Sequence, residues 1–420
     1  MKIDLLIHSA NQVLTLAGGP QRGSDLGTLG LIEDGAVAIH NGSIVEVGAS
    51  RELRRRHQAD QEFDASGRLV MPGFVDPHTH LVWAGDRADE FELRQQGASY
   101  MDILAAGGGI LSTVQKTRSA SLETLVDEGR RRARRMLAHG TTTAEAKSGY
   151  GLEWEAEKRM IQAALQIDAL EPIDLALTFL GAHAVPPEFE GRSDEYTSLI
   201  TGHMLPELKV WWKSNQPDRP LPFVDAFCEE GAFSVPETRK IFTTARELGF
   251  PLKVHADEFK GLGGTALAVE LGAVSADHLV QTPVQDMEAL AVSDTVGVAL
   301  PCTPFGLNEA AYTPARQLLA AGGLLAIATD LNPGTGWCES MQFVLGLACR
   351  KMALTPAQAI AAATMNAAAA IGRQDSIGSL EAGKQADVIV LDVPSYRHLG
   401  YRFGANLVSR VFKRGTQVVP

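Results

Sequence analysis

LVMPGFVDPHTH, residues 69–80, is an apolar run that stops on a row of polar side chains. A short apolar run bounded by Pro and Gly fits a buried strand. In an open, doubly wound sheet, the first strand would feed a Gly-rich turn that cradles phosphate. This one ends on Asp76-Pro77-His78-Thr79-His80, and no such turn follows. Reactive side chains at the C-terminal end of a strand are the arrangement of a closed (β/α)8 barrel.

Seven further segments downstream have the same form: GTTTAEAKSG (140–149), IDLALTFLGAH (173–183), LPFVDAFCEE (221–230), PLKVHADE (251–258), AVSADHL (273–279), TVGVALPC (295–302) and LLAIATDLN (324–332). Helical stretches separate them. One of these, Ser121–Gly140, opens with a Ser-to-Glu capping signal. Strand alternating with helix implies a parallel sheet, and eight units suit a TIM-type barrel. The two ends of the chain have a different texture. Short β-segments fill Asp4–Leu16 and Gly35–Gly48, the latter with an Asn41-Gly42 hairpin signal, and return at Ala386–Asp392 and Val408–Val419. The expected fold is therefore α/β: a barrel over residues 71–372, with a small β-sandwich domain built from residues 1–70 plus 373–420.

The chain has 420 residues, 45% of them hydrophobic and 21% charged, an ordinary globular composition that excludes disorder and fibrous repeats. Its net charge of −12 argues against a nucleic-acid partner. The one dense basic run, Arg130–Arg135, reads as a solvated helix face. Four widely spaced cysteines form neither a disulfide framework nor a zinc ribbon. No signal peptide or membrane span is legible, so a cytoplasmic protein without a membrane partner is expected.

Five of the eight strands end on histidine or on a buried-looking aspartate: His78 with His80, His183, His255, His278 and Asp330. Residues two apart on a strand share a face about 6.6–6.8 Å apart. The imidazoles of His78 and His80 can therefore converge on one ion at nitrogen–metal distances of about 2.0–2.1 Å. With His255 and Asp330 they make a donor set suited to zinc or iron. A bound Zn²⁺ lowers the pKa of its water to about 7. Asp330, Glu258 and His278 are then the candidate proton carriers. Strand four ends in Cys228-Glu229-Glu230, with no lysine, and Glu229 could in principle bridge a second ion. Lys147 reads as a structural ion-pair partner, and Gly107-Gly108-Gly109 as a loop rather than an anion cradle.

At these residues the chain resembles the amidohydrolase superfamily, and IGSLEAGKQADVIVLD (377–392) resembles that superfamily's return into its small β-domain. Within it, the chain is similar nearly end to end to the imidazolonepropionase family. The segments that carry this are His78–Arg118, Thr141–Leu152, Thr178–Phe189, Lys253–Phe259 and Ala328–Thr335. The resemblance implies hydrolysis of 4-imidazolone-5-propanoate to N-formimidoyl-L-glutamate in histidine degradation. It implies one Zn²⁺ or Fe ion per chain on His78, His80, His255 and Asp330. Arg87, Tyr150, His183 and Glu258 become substrate contacts, with Tyr100 beside Arg87. Asn332, Gly334 and Thr335 become contacts to the product-like end, and a homodimer is implied.

Physical chemistry agrees with the assignment of Arg87, whose planar fork suits a propionate carboxylate. Two alternatives carry other expectations. A cyclic-amidine deaminase of the cytosine deaminase type shares the His255-Ala-Asp-Glu258 pattern but has no use for a carboxylate clamp. A non-enzymatic relative would have lost metal-site residues, and none is missing.

Overall fold

A computed structural model describes residues 1–97 and 108–419; Tyr100 and Gly107 lie outside the described residues. The described strands, in chain order, are β1 (Lys2–Leu14), β2 (Leu31–His40), β3 (Ser43–Ala49), β4 (Gln58–Asp64), β5 (Leu69–Pro72), β6 (Phe74–Asp76), β7 (Thr141–Lys147) and β8 (Asp174–Ala182). They continue as β9 (Phe223–Cys228), β10 (Lys253–Ala256), β11 (Ser275–His278), β12 (Val296–Ala299), β13 (Leu325–Ile327), β14 (Val388–Leu391), β15 (Val408–Lys413) and β16 (Thr416–Val419).

Strands β6 to β13 form one eight-stranded sheet in sequential order, every pair parallel. Helices cross between them, among them Leu122–Ala138, Trp154–Leu170 and Val235–Glu247. The seam between β13 and β6 closes just beyond the strand ends. There Asp330 N donates to His78 O (3.1 Å) and His80 N to Leu331 O (2.9 Å). This is the (β/α)8 barrel the sequence predicts.

The stretch 69–80 is two strands, not one. At Gly73 the chain leaves one sheet for the other: β5 pairs with β14 and β1, while β6 opens the barrel. Gly73 N donates to Asp387 O (3.0 Å), and a Cβ at this glycine would come within 2.8 Å of Thr142 Cβ. Only a residue without a side chain fits this close crossing.

The terminal segments build the other sheet, in the order β16-β15-β14-β5-β1-β2-β3, with β4 beside β1. Alternate residues such as Leu5, Ile7, Val37, Ile39, Val388, Val390 and Phe412 point into a shared core. Phe63 on β4 meets Phe412 on β15 edge-to-face, ring centroids 5.6 Å apart, so the sheet folds over and encloses that core as a sandwich does. Asn41 and Gly42, both at positive φ, make the β2–β3 hairpin turn.

The basic run departs from its expected role in one place. Arg130 and Arg134 pair with Glu171, and Arg135 with Glu339. Arg132 instead turns inward, its guanidinium 3.3 Å over the Trp83 ring and donating to Leu81 O and Trp83 O. It sits at helical spacing with the buried Leu125, Gly129 and Met136, and stacking on indole compensates for its desolvation. No helix among the described residues is long and apolar enough to cross a membrane.

Candidate active site

At the barrel mouth, strand ends bring together residues far apart in sequence. His78 and His80 follow β6, His255 lies in β10, His278 ends β11, and Asp330 follows β13. All five are buried. Nε2 of His80 and Nε2 of His255 face each other at 3.4 Å, and Oδ1 of Asp330 lies 3.7 Å from Nε2 of both His78 and His80. With the ring protons on Nδ1, two Nε2 lone pairs facing at that distance gain nothing from each other. Nε2 of His78 is buried and has no hydrogen-bond partner among the described residues. For bonds of about 2.0–2.1 Å, the ligand atoms of a four-coordinate ion stand about 3.3–3.4 Å apart. The four donors fit such an ion.

The outer ring nitrogens explain why the inner ones are free. Nδ1 of His78 lies 2.6 Å from Oδ2 of Asp277, and Nδ1 of His255 lies 3.0 Å from Oδ2 of Asp225. Asp277 holds the proton on His78 Nδ1 and leaves the His78 Nε2 lone pair aimed inward, and Asp225 faces His255 from its outer side. Burial, then the charge of Lys147, keeps His78 well below the ordinary histidine range. Neutral imidazole is the form that binds metal.

Beneath the histidines lies a fully buried ionic cluster. Lys147 Nζ reaches Asp225 (2.6 Å) and Glu145 (3.0 Å), and Lys253 Nζ reaches Glu145 (2.9 Å) and the Pro77 carbonyl (2.7 Å). Burial works against the Asp225 charge, yet His255 and Lys147 hold its pKa well below the carboxylate range. A second grouping, His78, Glu145 and Asp277, also has its ligand atoms within 4.8 Å of one another. Two ammonium groups already satisfy it: Lys147 and Lys253 lie 3.7 and 3.8 Å from Asp277. Glu229 faces elsewhere, accepting from Phe259 N and Glu230 N.

The remaining sequence candidates surround this floor. His183 stacks on His80 at 4.8 Å and 13°, and Tyr150 lies 5.6 Å from the His80 ring and 5.3 Å from His183. Burial pushes His183 down to about 3. The turn bearing Tyr150 is held by buried Glu157, which accepts from the backbone N–H of Gly149, Gly151 and Leu152 at 2.7–2.9 Å. Glu258 Oε2 lies 3.5 Å from His278 Nδ1, and burial followed by the charge of Asp330 raises Glu258 well above the carboxylate range. Burial also lifts Asp330 to about 6, against the hydrogen bond its Oδ2 accepts from Thr303. Asn332 ties the loop after β13, donating to Asp330 O and accepting from Gly334 N and Thr335 N. Arg87 caps the helix Ala88–Gln95 and borders Gly334.

Asp257, His278, Leu279 and Asp330 are all non-glycine residues at positive φ, a costly backbone state that clusters at functional sites.

Residues 69–418 match the amidohydrolase family. Imidazolonepropionase from Herpetosiphon aurantiacus is 49% identical over 415 residues, covering 99% of this chain and 97% of the relative. The same enzyme from Chloroflexus aggregans is 49% identical over 420 residues, covering 99% and 98%. The chain belongs to the imidazolonepropionase family. It is accordingly a hydrolase of C–N bonds. The chain shares its architecture with solved structures of low identity. One is a zinc-bound adenosine deaminase from Xanthomonas campestris (TM-score 0.70, 22% identity, 100% and 93% coverage). Another is Escherichia coli guanine deaminase (TM-score 0.71, 16% identity, 98% of each chain).

Sequence reasoning left unassigned Asp225, Asp277, Glu145, Lys253 and Glu157. Their signal was present in part. TTTAEAK and PLKVHADE carry ionisable residues at alternate positions of a strand, and FVDAFC carries one in an apolar run, all of which must find partners inside the barrel.

Proposed function

We propose that His78, His80, His255 and Asp330 hold a single Zn²⁺ or Fe ion, and that the chain opens the ring of 4-imidazolone-5-propanoate with water. The observation that carries the proposal is the convergence of three histidine nitrogens and one carboxylate oxygen, with His80 Nε2 3.4 Å from His255 Nε2 and Asp330 Oδ1 3.7 Å from Nε2 of His78 and His80, over a buried ionic floor. When bound, the ion supplies a Lewis acid that activates water and polarises the ring carbonyl.

The protein's own groups do the rest. Water adds to the ring carbonyl carbon, the adjacent C–N bond breaks, and the released nitrogen takes a proton. The product is N-formimidoyl-L-glutamate. Asp330, with one oxygen anchored by Thr303, is the base that receives the water proton. Glu258, whose carboxyl burial raises well above the ordinary range, donates the proton to the departing nitrogen, and His278 beside it, held low by burial, orients Glu258. Tyr150 and His183 wall the ring. Arg87, with Asn332, Gly334 and Thr335, holds the ends of the molecule, and Tyr100 joins Arg87. The two ammonium groups at Asp277 support one ion rather than two.

The same reading includes a cytoplasmic homodimer, resting on the family resemblance, and the division at residues 1–70 plus 373–420 and 71–372. It includes no nucleic-acid partner, since the net charge is −12 and Arg130, Arg134 and Arg135 are ion-paired. The test is metal analysis of the purified protein with a direct assay of imidazolonepropionate consumption. Turnover of cytosine without turnover of imidazolonepropionate would favour the deaminase alternative.

A further inference from the structure

Two arginines at the helix Ala88–Gln95 approach one glycine, Gly334, with a glutamate between them. Arg87, at its N-cap, approaches Gly334 so closely that a Cβ there would lie 3.0 Å from Arg87 Cζ and nearer still to a terminal nitrogen. Arg94, two turns along, donates from Nη2 to the Gly334 carbonyl (3.3 Å). Between them, Glu90 accepts from Arg87 Nε through Oε2 (2.9 Å) and from Gly109 N through Oε1 (3.1 Å). Arg87 and Glu90 are largely shielded, with side-chain exposures of 15% and 14%.

Two features of this arrangement go beyond helix stabilisation. A carboxylate that engages only Nε occupies one edge of the guanidinium. Among the described residues the two terminal nitrogens have no hydrogen-bond partner, and they are the fork that binds a carboxylate bidentately. Of the three side chains Arg87, Glu90 and Arg94, two guanidiniums against one carboxylate leave a net +1, the complement of one propionate. A lone arginine on a short helix would lose rotamer entropy on binding, and an arginine already fixed at Nε loses less.

We infer that Glu90 is a positioning residue for substrate selection. It presets Arg87 so that its free edge meets the propionate, while the missing side chain at Gly334 provides the clearance. The inference rests on the proposed contact between Arg87 and the propionate. It assigns to Glu90 a role separate from chemistry, and to Gly334 a steric role beside its proposed contact to the ligand.

The experiment compares kcat/KM for 4-imidazolone-5-propanoate with kcat/KM for an analogue bearing propyl in place of propionate. Wild type, Arg87→Ala, Glu90→Gln and Gly334→Ala are measured, each with its melting temperature. Gln keeps the shape of Glu90 but has one acceptor oxygen for two donors. Arg87→Ala should lose about 10- to 150-fold on the native substrate and stay within about twofold on the analogue. Glu90→Gln should lose roughly 3- to 30-fold on the native substrate only, chiefly through KM. Gly334→Ala should narrow the selectivity in the same direction without touching Glu90. If Arg87→Ala is selective and Glu90→Gln is not, whether inert or harmful to both substrates equally, Glu90 is only a helix anchor and the inference is overturned. If Arg87→Ala itself harms both substrates equally, the propionate contact fails and the inference falls with it.

Discussion

Oδ2 of Asp277 lies 2.6 Å from Nδ1 of His78, and neither side chain has any solvent exposure. The bond spans 199 residues of sequence, and Ser275 donates to the other Asp277 oxygen at 2.6 Å. His78 thus has its ring orientation and its proton fixed before any ligand arrives.

Replacing that anchor should weaken metal binding without removing a ligand. Asp277→Ala is expected to lower metal affinity by about 10- to 100-fold, read by competition against a chromogenic chelator. Unchanged affinity in a folded variant would show that His78 needs no partner.

The ligands themselves should be indispensable. Purified protein should carry about one equivalent of metal per chain, chelation should abolish turnover, and His78→Ala and Asp330→Ala should each lose both metal and activity. A fully active metal-free protein would refute the assignment.

Lys147 is held at no exposure by Glu145 and Asp225, which outweigh the opposing effect of burial and raise its pKa. Lys147→Met leaves three buried carboxylates with Lys253 alone. The expected cost is about 3–5 kcal/mol in urea unfolding, the range for breaking a buried pair from one side. Adding Asp225→Asn should recover part of it, and strictly additive losses would mean the two residues do not interact.

Acid should attack the junction between the sheet and the barrel. Asp174, which opens β8, lies 2.8 Å from Lys413 Nζ and 2.9 Å from Arg414. Burial opposes its charge, but these cations hold its pKa below the ordinary 3.8. A carboxylate with a depressed folded pKa stabilises the protein above its unfolded value and loses that contribution as pH falls through the folded one. Urea midpoints should therefore be little affected by this group down to about pH 4 and drop below it. Asp174→Asn should show a shallower decline. An identical acid slope in both proteins would exclude this group as the cause.

Much of the site was legible because chemistry interrupts apolar strands. His255 in PLKVHADE and Asp330 in LLAIATD stand out against their neighbours, and the fold places both where the strands stop. What could not be read was the pairing. Asp225 had to point inward, but nothing local says that its partners are Lys147 and His255, because barrel closure sets those distances. Nor does 69–80 announce its break at Gly73, since both halves are equally apolar. Arg132 hid inside a basic run because its partner, Trp83, belongs to a distant segment.

The seam between β6 and β13 also sets a timetable for synthesis. Asp76 accepts from Thr329 N (3.1 Å) and Thr329 Oγ1 (2.6 Å) across 253 residues, beside the bonds from Asp330 to His78 and from His80 to Leu331. A chain emerging from the ribosome makes His78 early and Asp330 late, with an interval of roughly 13–50 s at 5–20 residues per second. Until then the first strand has no neighbour on one side, and the imidazoles lack their fourth companion. On the proposed assignment, completing the ion's donor set and closing the barrel are one late event, and a truncated nascent chain would offer at most three of the four donors.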